Sequence, residues 1–131
     1  MFSKKVEELL DNQVNKEFYS AYLYLSFANF YVEQGLSGFA NWYQIQAQEE
    51  RDHALLFVKY MQDNGMKVTL KAIDQPNIVL NDNMDALKAG LEHEKYVTDL
   101  IHTIYGADSR GLYLLDQKLG NRTYAPSSLA L

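Results

Sequence analysis

Gln46-Ala47-Gln48-Glu49-Glu50-Arg51-Asp52-His53-Ala54 is the stretch on which the reading of this chain turns. It lies in the middle of a long segment without proline, and Glu50 and His53 form an i, i+3 pair that faces one way on a helix. The spacing predicts a helix from Ser37 to Asn64, with Ser37 as its N-cap and Gly65 as its stop. Its inner face carries Phe39, Trp42, Gln46, Glu49, Glu50, His53, Phe57 and Tyr60. Upstream, a first helix starts near Ser3 and ends at Gly35. Val6, Leu10, Gln13, Val14, Glu17, Ala21, Tyr24, Ala28 and Tyr31 share an arc of roughly 100° on it. Downstream, a third helix runs from about Asn83 to Tyr105, with Met84, Leu87, Leu91, Glu94, Thr98, Ile101 and Tyr105 on one face.

The links between these helices set the topology. Gly35-Leu36-Ser37-Gly38 is short and allows only an antiparallel neighbour. The connector from Gly65 to Asp82 holds Asp74-Gln75-Pro76-Asn77 and Asn81-Asp82-Asn83, both turn-like. Its length of about 17 residues reaches at most about 55–60 Å, more than the roughly 40 Å of the second helix. The third helix is therefore expected to start parallel to the second. The fold class is an all-α, up-down helical bundle with one long crossover. No complete fourth long helix is visible. Residues 1–105 read as the three-helix bundle, and residues 106–131 as a short C-terminal helix, Leu112 to Leu119, followed by a tail.

The chain has 131 residues and 47% hydrophobic content, enough for one domain with a core. Its net charge is −5, and it has no basic run, which argues against nucleic-acid or anionic-membrane binding. The absence of cysteine excludes disulfides, thiolate metal sites and cysteine nucleophiles, and fits a reducing cytoplasm. The N-terminus lacks the apolar core of a secretory signal. The most apolar stretch, Ser20 to Val32, is too short to span a bilayer.

The chemistry lies in the polar residues placed on apolar faces: Glu17, then Glu49, Glu50 and His53, then Glu94. A bare carboxylate inside a bundle costs several kcal/mol unless paired or protonated, and several together repel one another. Lys16, Arg51, Lys59, Lys88 and Lys95 point elsewhere on the same wheels, so a bound cation is the economical way to keep the cluster charged. Carboxylates with one imidazole suit Fe(II), Mn(II) or Zn(II) better than Ca²⁺ or Mg²⁺. Tyr24 shares the face of Glu17, two turns on, and reads either as a core tyrosine or as a phenol beside the metals. His93 is expected in solvent, opposite the inner face, and His102 at the edge of the third stripe. Asp52 and Asp99 read as solvated.

These residues resemble a non-haem bacterial or archaeal ferritin. The matching blocks are Asn12-Gln13-Val14-Asn15-Lys16-Glu17-Phe18-Tyr19-Ser20-Ala21-Tyr22-Leu23-Tyr24-Leu25, Gly38-Phe39-Ala40-Asn41-Trp42, the stretch from Gln46 to Ala54, and Glu92-His93-Glu94. The resemblance implies a ferritin-like bundle with ferroxidase activity, in which Fe(II) is oxidised by O₂ at a di-iron centre and the Fe(III) is stored as mineral within a homo-oligomeric shell. It implies Glu17, Glu50, His53 and Glu94 as ligands of that centre, Glu49 at a nearby third iron site, and Tyr24 as the tyrosine beside the centre. No haem is implied, since Asp52 occupies the position of a haem-ligating Met. The departure is at the C-terminus: no Glu follows Glu94, and Arg110 to Arg122 resembles the family's short fifth helix. The fourth helix is thus missing, and Gln117 is not assigned as a ligand. An open bundle predicts an unusual oligomer, a shell with altered assembly, or a sequence from which a segment has been removed. Alternatives to iron oxidation are a self-assembling scaffold with an impaired site, or a Zn(II)- or Mn(II)-binding module without redox chemistry.

Overall fold

The computed structural model describes residues 3–107, with side chains as far as residue 96 and at Asp99. The expected short helix, the tail and Gln117 lie outside the described residues, as do the side chains of Thr98, Ile101, His102 and Tyr105. Among the described residues the fold is all-α, with three helices: α1 (Lys4–Glu33), α2 (Ser37–Asp63) and α3 (Asn83–Ala107).

Local chemistry sets each boundary. Ser3 caps α1, its hydroxyl accepting the Val6 N–H at 3.3 Å. Gly35 ends α1 at φ 73°, a left-handed conformation that glycine adopts without steric cost. Its N–H reaches the Val32 carbonyl at 3.0 Å, and the Leu36 N–H reaches Tyr31 at 2.9 Å, a complete Schellman closure. This closure places Leu36, which provides no side-chain cap, before α2. Ser37 is therefore the first helical residue of α2 and not its N-cap. Gly65, at φ 72°, closes α2 in the same way, and Met66 folds back with its N–H on the Met61 carbonyl at 2.8 Å. At the start of α3 the Asp82 carboxylate accepts the N–H groups of Met84 (2.8 Å) and Asp85 (3.1 Å), while Asp85 accepts that of Asp82 (3.1 Å). This is a reciprocal capping box, and the N–H groups of Asn81 (2.8 Å) and Asp82, both donating to Asp85, hold its carboxyl below the usual range.

Both α2 and α3 run antiparallel to α1. Val6 and Leu10 near the start of α1 cluster with Phe57 and Met61 near the end of α2, and Tyr31 meets Phe39 and Tyr43 at the opposite end. The Tyr31 hydroxyl donates to the Asn83 carbonyl at 2.6 Å, and farther along Ser20 and Tyr24 meet His93 and Glu94. Consequently α2 and α3 are parallel, as the connector length allows. They meet mainly through the Tyr43 hydroxyl, which donates to the Ala86 carbonyl at 2.9 Å.

The crossover is strapped to α1. The N–H groups of Lys67, Thr69 and Lys71 donate to the side chains of Glu7 (3.3 Å), Asp11 (2.8 Å) and Asn15 (2.8 Å), and Asn15 returns a bond to the Thr69 carbonyl at 2.9 Å. Every second residue of an extended strand advances about 6.6 Å. Every fourth residue of a helix advances about 6 Å. The two repeats therefore stay in step over three rungs.

The buried faces correct two of the expected ones. On α1 the stripe is as anticipated, except that Ala21 is only half-buried and Ser20, Leu23 and Phe27 are added to it. This helix has neighbours on two sides, so its covered arc is wider. On α2 the buried set is Ala40, Tyr43, Gln46, Ala47, Glu50, Ala54, Phe57 and Met61. Phe39 is 46% exposed, and Trp42, Glu49, His53 and Tyr60 are half-buried. The covered flank is the one turned toward α1. On α3 the buried positions are Ala86, Gly90 and Glu94, whereas Met84 is exposed and Leu87 and Leu91 are half-buried.

Gly90 sits where α3 crosses Tyr43, and a Cβ there would run into the buried Tyr43 phenol. In an exposed helix Gly→Ala stabilises by about 1 kcal/mol. Here overpacking of about 1–3 kcal/mol works against that gain. Gly90→Ala is expected to lower the urea midpoint. The Asn15→Ala variant, which loses two strap bonds, is expected to lose about 1 kcal/mol and to speed amide exchange at Lys71 before it affects the helices.

Candidate metal centre

Mid-way along the bundle, donor atoms of Glu17, Glu50 and His53 lie within 4.8 Å of one another. Glu17 comes from α1, and Glu50 and His53 from one face of α2. Both carboxylates are fully buried, and His53 retains 12% side-chain exposure. The His53 Nδ1 is 3.7 Å from Glu50 Oε2. Gln13, one turn before Glu17, donates its amide N–H to Glu17 Oε1 at 3.3 Å. This orients the carboxylate without neutralising it. Every described lysine and arginine is exposed, and Arg51 lies 3.8 Å from Asp52 on the outside.

Glu94 is also fully buried, but it is not part of that three-residue group. Its carboxylate accepts a hydrogen bond from the Tyr24 hydroxyl. Burial, followed by the negative charges of Glu94 and Glu50, holds the Tyr24 hydroxyl well above the ordinary phenol range. Tyr24 thus stays protonated and ties Glu94 to α1. Its ring lies 5.4 Å from that of Tyr43, whose own hydroxyl is pushed above the phenol range chiefly by burial.

Glu49 stands apart on the half-covered flank of α2. Its Oε2 is buried without a hydrogen-bond partner, as is Oε1 of Gln46 one turn earlier. Burial raises the Glu49 carboxyl above its usual range. His53 opposes that shift, and Glu50 and Asp52 add to it. An orphaned buried carboxylate oxygen near Glu50 and the His53 imidazole is a donor set that fits a divalent cation.

Two residues next to the site escaped the sequence reading. His93 is half-buried and not solvated: its Nε2 lies 2.6 Å from Ser20 Oγ, and its ring packs near Tyr19, Tyr24 and Tyr96. A helical wheel drawn for one neighbour misplaces it, because residues 93 and 94 straddle the contact with α1. Ser20 gives no signal in the sequence, being polar and off the main stripe.

The fold and the site together define a helical bundle organised around an interior carboxylate–histidine cluster of metal-binding type. The Ferritin-like domain family matches residues 7–109, and the chain belongs to that family. It is 36% identical over 104 residues to a bacterial non-heme ferritin of Campylobacter jejuni, a match covering 79% of this chain and 62% of that protein. The chain thus spans less than two thirds of that relative. A bacterial non-heme ferritin of Staphylococcus aureus is 26% identical over 163 aligned positions, covering 95% of this chain and 98% of that protein. With only 131 residues in this chain, that alignment bridges a segment present in the relative and absent here. An open pore ferritin from Archaeoglobus fulgidus superimposes with a TM-score of 0.91 at 33% identity, covering 98% of this chain and 82% of that one. A humanized archaeal ferritin gives a TM-score of 0.92 at 31% identity, covering 99% and 82%.

The raised Glu49 carboxyl makes the metal-free protein sensitive to pH. A carboxyl raised in the folded state favours folding while it is protonated, and that contribution is lost as pH climbs from the unfolded value through the raised one. Metal-free Glu49→Gln is therefore expected to melt higher than the parent near neutral pH and to match it below pH 4, in a thermal series across pH.

Proposed function

We propose that this chain is an iron-storage ferritin subunit with ferroxidase activity. The observation supporting this reading is the convergence of Glu17, Glu50 and His53 donor atoms within 4.8 Å in the buried interior, with every described lysine and arginine exposed. In this reading Fe(II) is the substrate. Glu17, Glu50 and His53 hold one ion. Glu50 and Glu94 serve a second, and Glu49 an outer one. Two Fe(II) give one electron each, and O₂ accepts both and leaves with two protons as hydrogen peroxide. The Tyr24 hydroxyl, which donates to the Glu94 carboxylate, holds that ligand toward the second ion. The Fe(III) product moves on to mineral in a cavity built by several copies of the chain.

Assembly is supported by large apolar side chains exposed on the helices, among them Tyr22, Leu25 and Val32 on α1 and Phe39, Ile45, Leu55 and Leu56 on α2. Among the described residues no helix is long and apolar enough to cross a membrane. The cysteine-free composition agrees with a cytoplasmic setting.

Stopped-flow mixing of the protein with Fe(II) in air is expected to show oxidation well above buffer, saturating near two irons per chain. Glu50→Ala should reduce the rate at least a hundredfold while leaving oligomer size unchanged. A parent rate equal to buffer, in an intact assembly, overturns the ferroxidase reading and leaves a scaffold. In the absence of O₂, Fe(II) at a hundredfold excess over its Kd should stabilise the parent by about 2.7 kcal/mol and Glu50→Ala by much less.

A further inference from the structure

The contact between α1 and α3 contains a second polar link that the iron reading leaves without a role. Ser20 Oγ lies 2.9 Å from the Lys16 carbonyl and 2.6 Å from His93 Nε2. A hydroxyl has one proton to donate, and a carbonyl can only accept. The Ser20 proton therefore goes back to Lys16 within the helix, and His93 Nε2–H donates to Ser20 Oγ. This fixes the His93 tautomer and makes the link directional from α3 to α1.

The geometry gives this bond a mechanical consequence. His93 and Glu94 are consecutive on α3, so their side chains leave the helix about 100° apart. Both end on α1, at Ser20 and at Tyr24 one turn later. One rung alone would leave α3 free to roll about its axis, whereas two rungs at different angles fix both roll and register. The His93 ring closes the gap between them, meeting Tyr24 edge-on at 5.9 Å and 80°, with Tyr19 on its other side at 6.0 Å. The other described hydrogen bonds from α1 and α2 to α3, from Tyr31 to Asn83 and from Tyr43 to Ala86, lie about two turns or more before His93.

We propose that the His93–Ser20 hydrogen bond is a positioning clasp that sets where the Glu94 carboxylate and the Tyr24 phenol stand relative to the Glu17–Glu50–His53 cluster. His93 itself binds no metal. The inference rests on the reading of that cluster as a metal site, and its test separates the two. Groups that orient a metal ligand typically change affinity by about ten- to a hundredfold when removed.

The test uses the full-length assembled protein and Tb(III), a redox-inert probe of carboxylate sites whose emission is excited through nearby tyrosine. His93→Phe keeps an aromatic ring and loses the donor. His93→Gln keeps an N–H near the Nε2 position. Ser20→Ala removes the acceptor. The expected result is about tenfold weaker Tb(III) binding and dimmer tyrosine-sensitised emission in His93→Phe and Ser20→Ala, with His93→Gln restored to near the parent. Parent-like titrations of His93→Phe and Ser20→Ala, while Glu50→Ala loses binding, overturn the clasp and leave the metal site standing. Equal losses in His93→Phe and His93→Gln also overturn it, since packing and not the hydrogen bond would then be the cause. If Glu50→Ala binds Tb(III) as the parent does, the metal-site reading fails, and the clasp fails with it.

Discussion

Three fully buried carboxylates are the constraint around which the rest of this molecule is arranged. Glu17, Glu50 and Glu94 are each fully removed from solvent, and the described cationic side chains all lie outside. Placing like charges in a low-dielectric interior is costly, and the cost falls only through protonation, hydrogen bonding or a cation. Among the described residues, an amide from Gln13 donates to Glu17 and a phenol from Tyr24 donates to Glu94. Both donors are neutral. They orient the carboxylates without neutralising them. A cation bound at this cluster would relieve the repulsion and stabilise the packed state, which would couple its binding to folding.

The fold meets this constraint by making α1 a spine. Glu17 and Tyr24 come from it directly. The two other polar clusters are brought to it by α2, through a Schellman-closed short turn, and by α3, through a crossover strapped along α1 at Glu7, Asp11 and Asn15. The strap fixes where the connector runs before α3 begins, and the capping box at Asp82 and Asp85 fixes where it begins. Where α3 begins is therefore decided well away from the site itself, by hydrogen bonds at the surface.

This division explains what the sequence revealed. The face of α1, the parallel arrangement of α2 and α3, and the burial of Glu17, Glu50 and Glu94 all follow from periodicity and chain length, which are local quantities. The burial of α2 does not, because the stripe through Phe39, Trp42, Glu49, His53 and Tyr60 is apolar enough to face a core and yet is only partly covered among the described residues. Its pattern suits a bundle with a further neighbour, and the 163-position alignment with the Staphylococcus aureus relative shows that such proteins carry an additional segment. Periodicity identifies a face that can be buried. It does not tell which neighbour buries it. His93 escaped for a related reason: a wheel has one inner direction, whereas a helix held by two rungs to the same partner buries residues on both sides of the contact line.

The half-covered flank of α2 also gives the site a direction. Glu49 stands at the outside, with one oxygen buried and unpaired. His53 comes next, with 12% of its side chain exposed, and Glu50 and Glu17 lie fully inside. A hydrated cation approaching from this side meets acceptors in order of falling solvent access, so it can exchange water for protein oxygen one ligand at a time. Removing a cation's hydration in steps avoids the large penalty of stripping it at once in a low-dielectric interior. A fully enclosed cluster of the same residues would bind as strongly at equilibrium but would have to open before each ion entered. Among the described residues, the incomplete cover of α2 that exposes apolar surface is thus also what leaves His53 and Glu49 accessible beside the buried carboxylates.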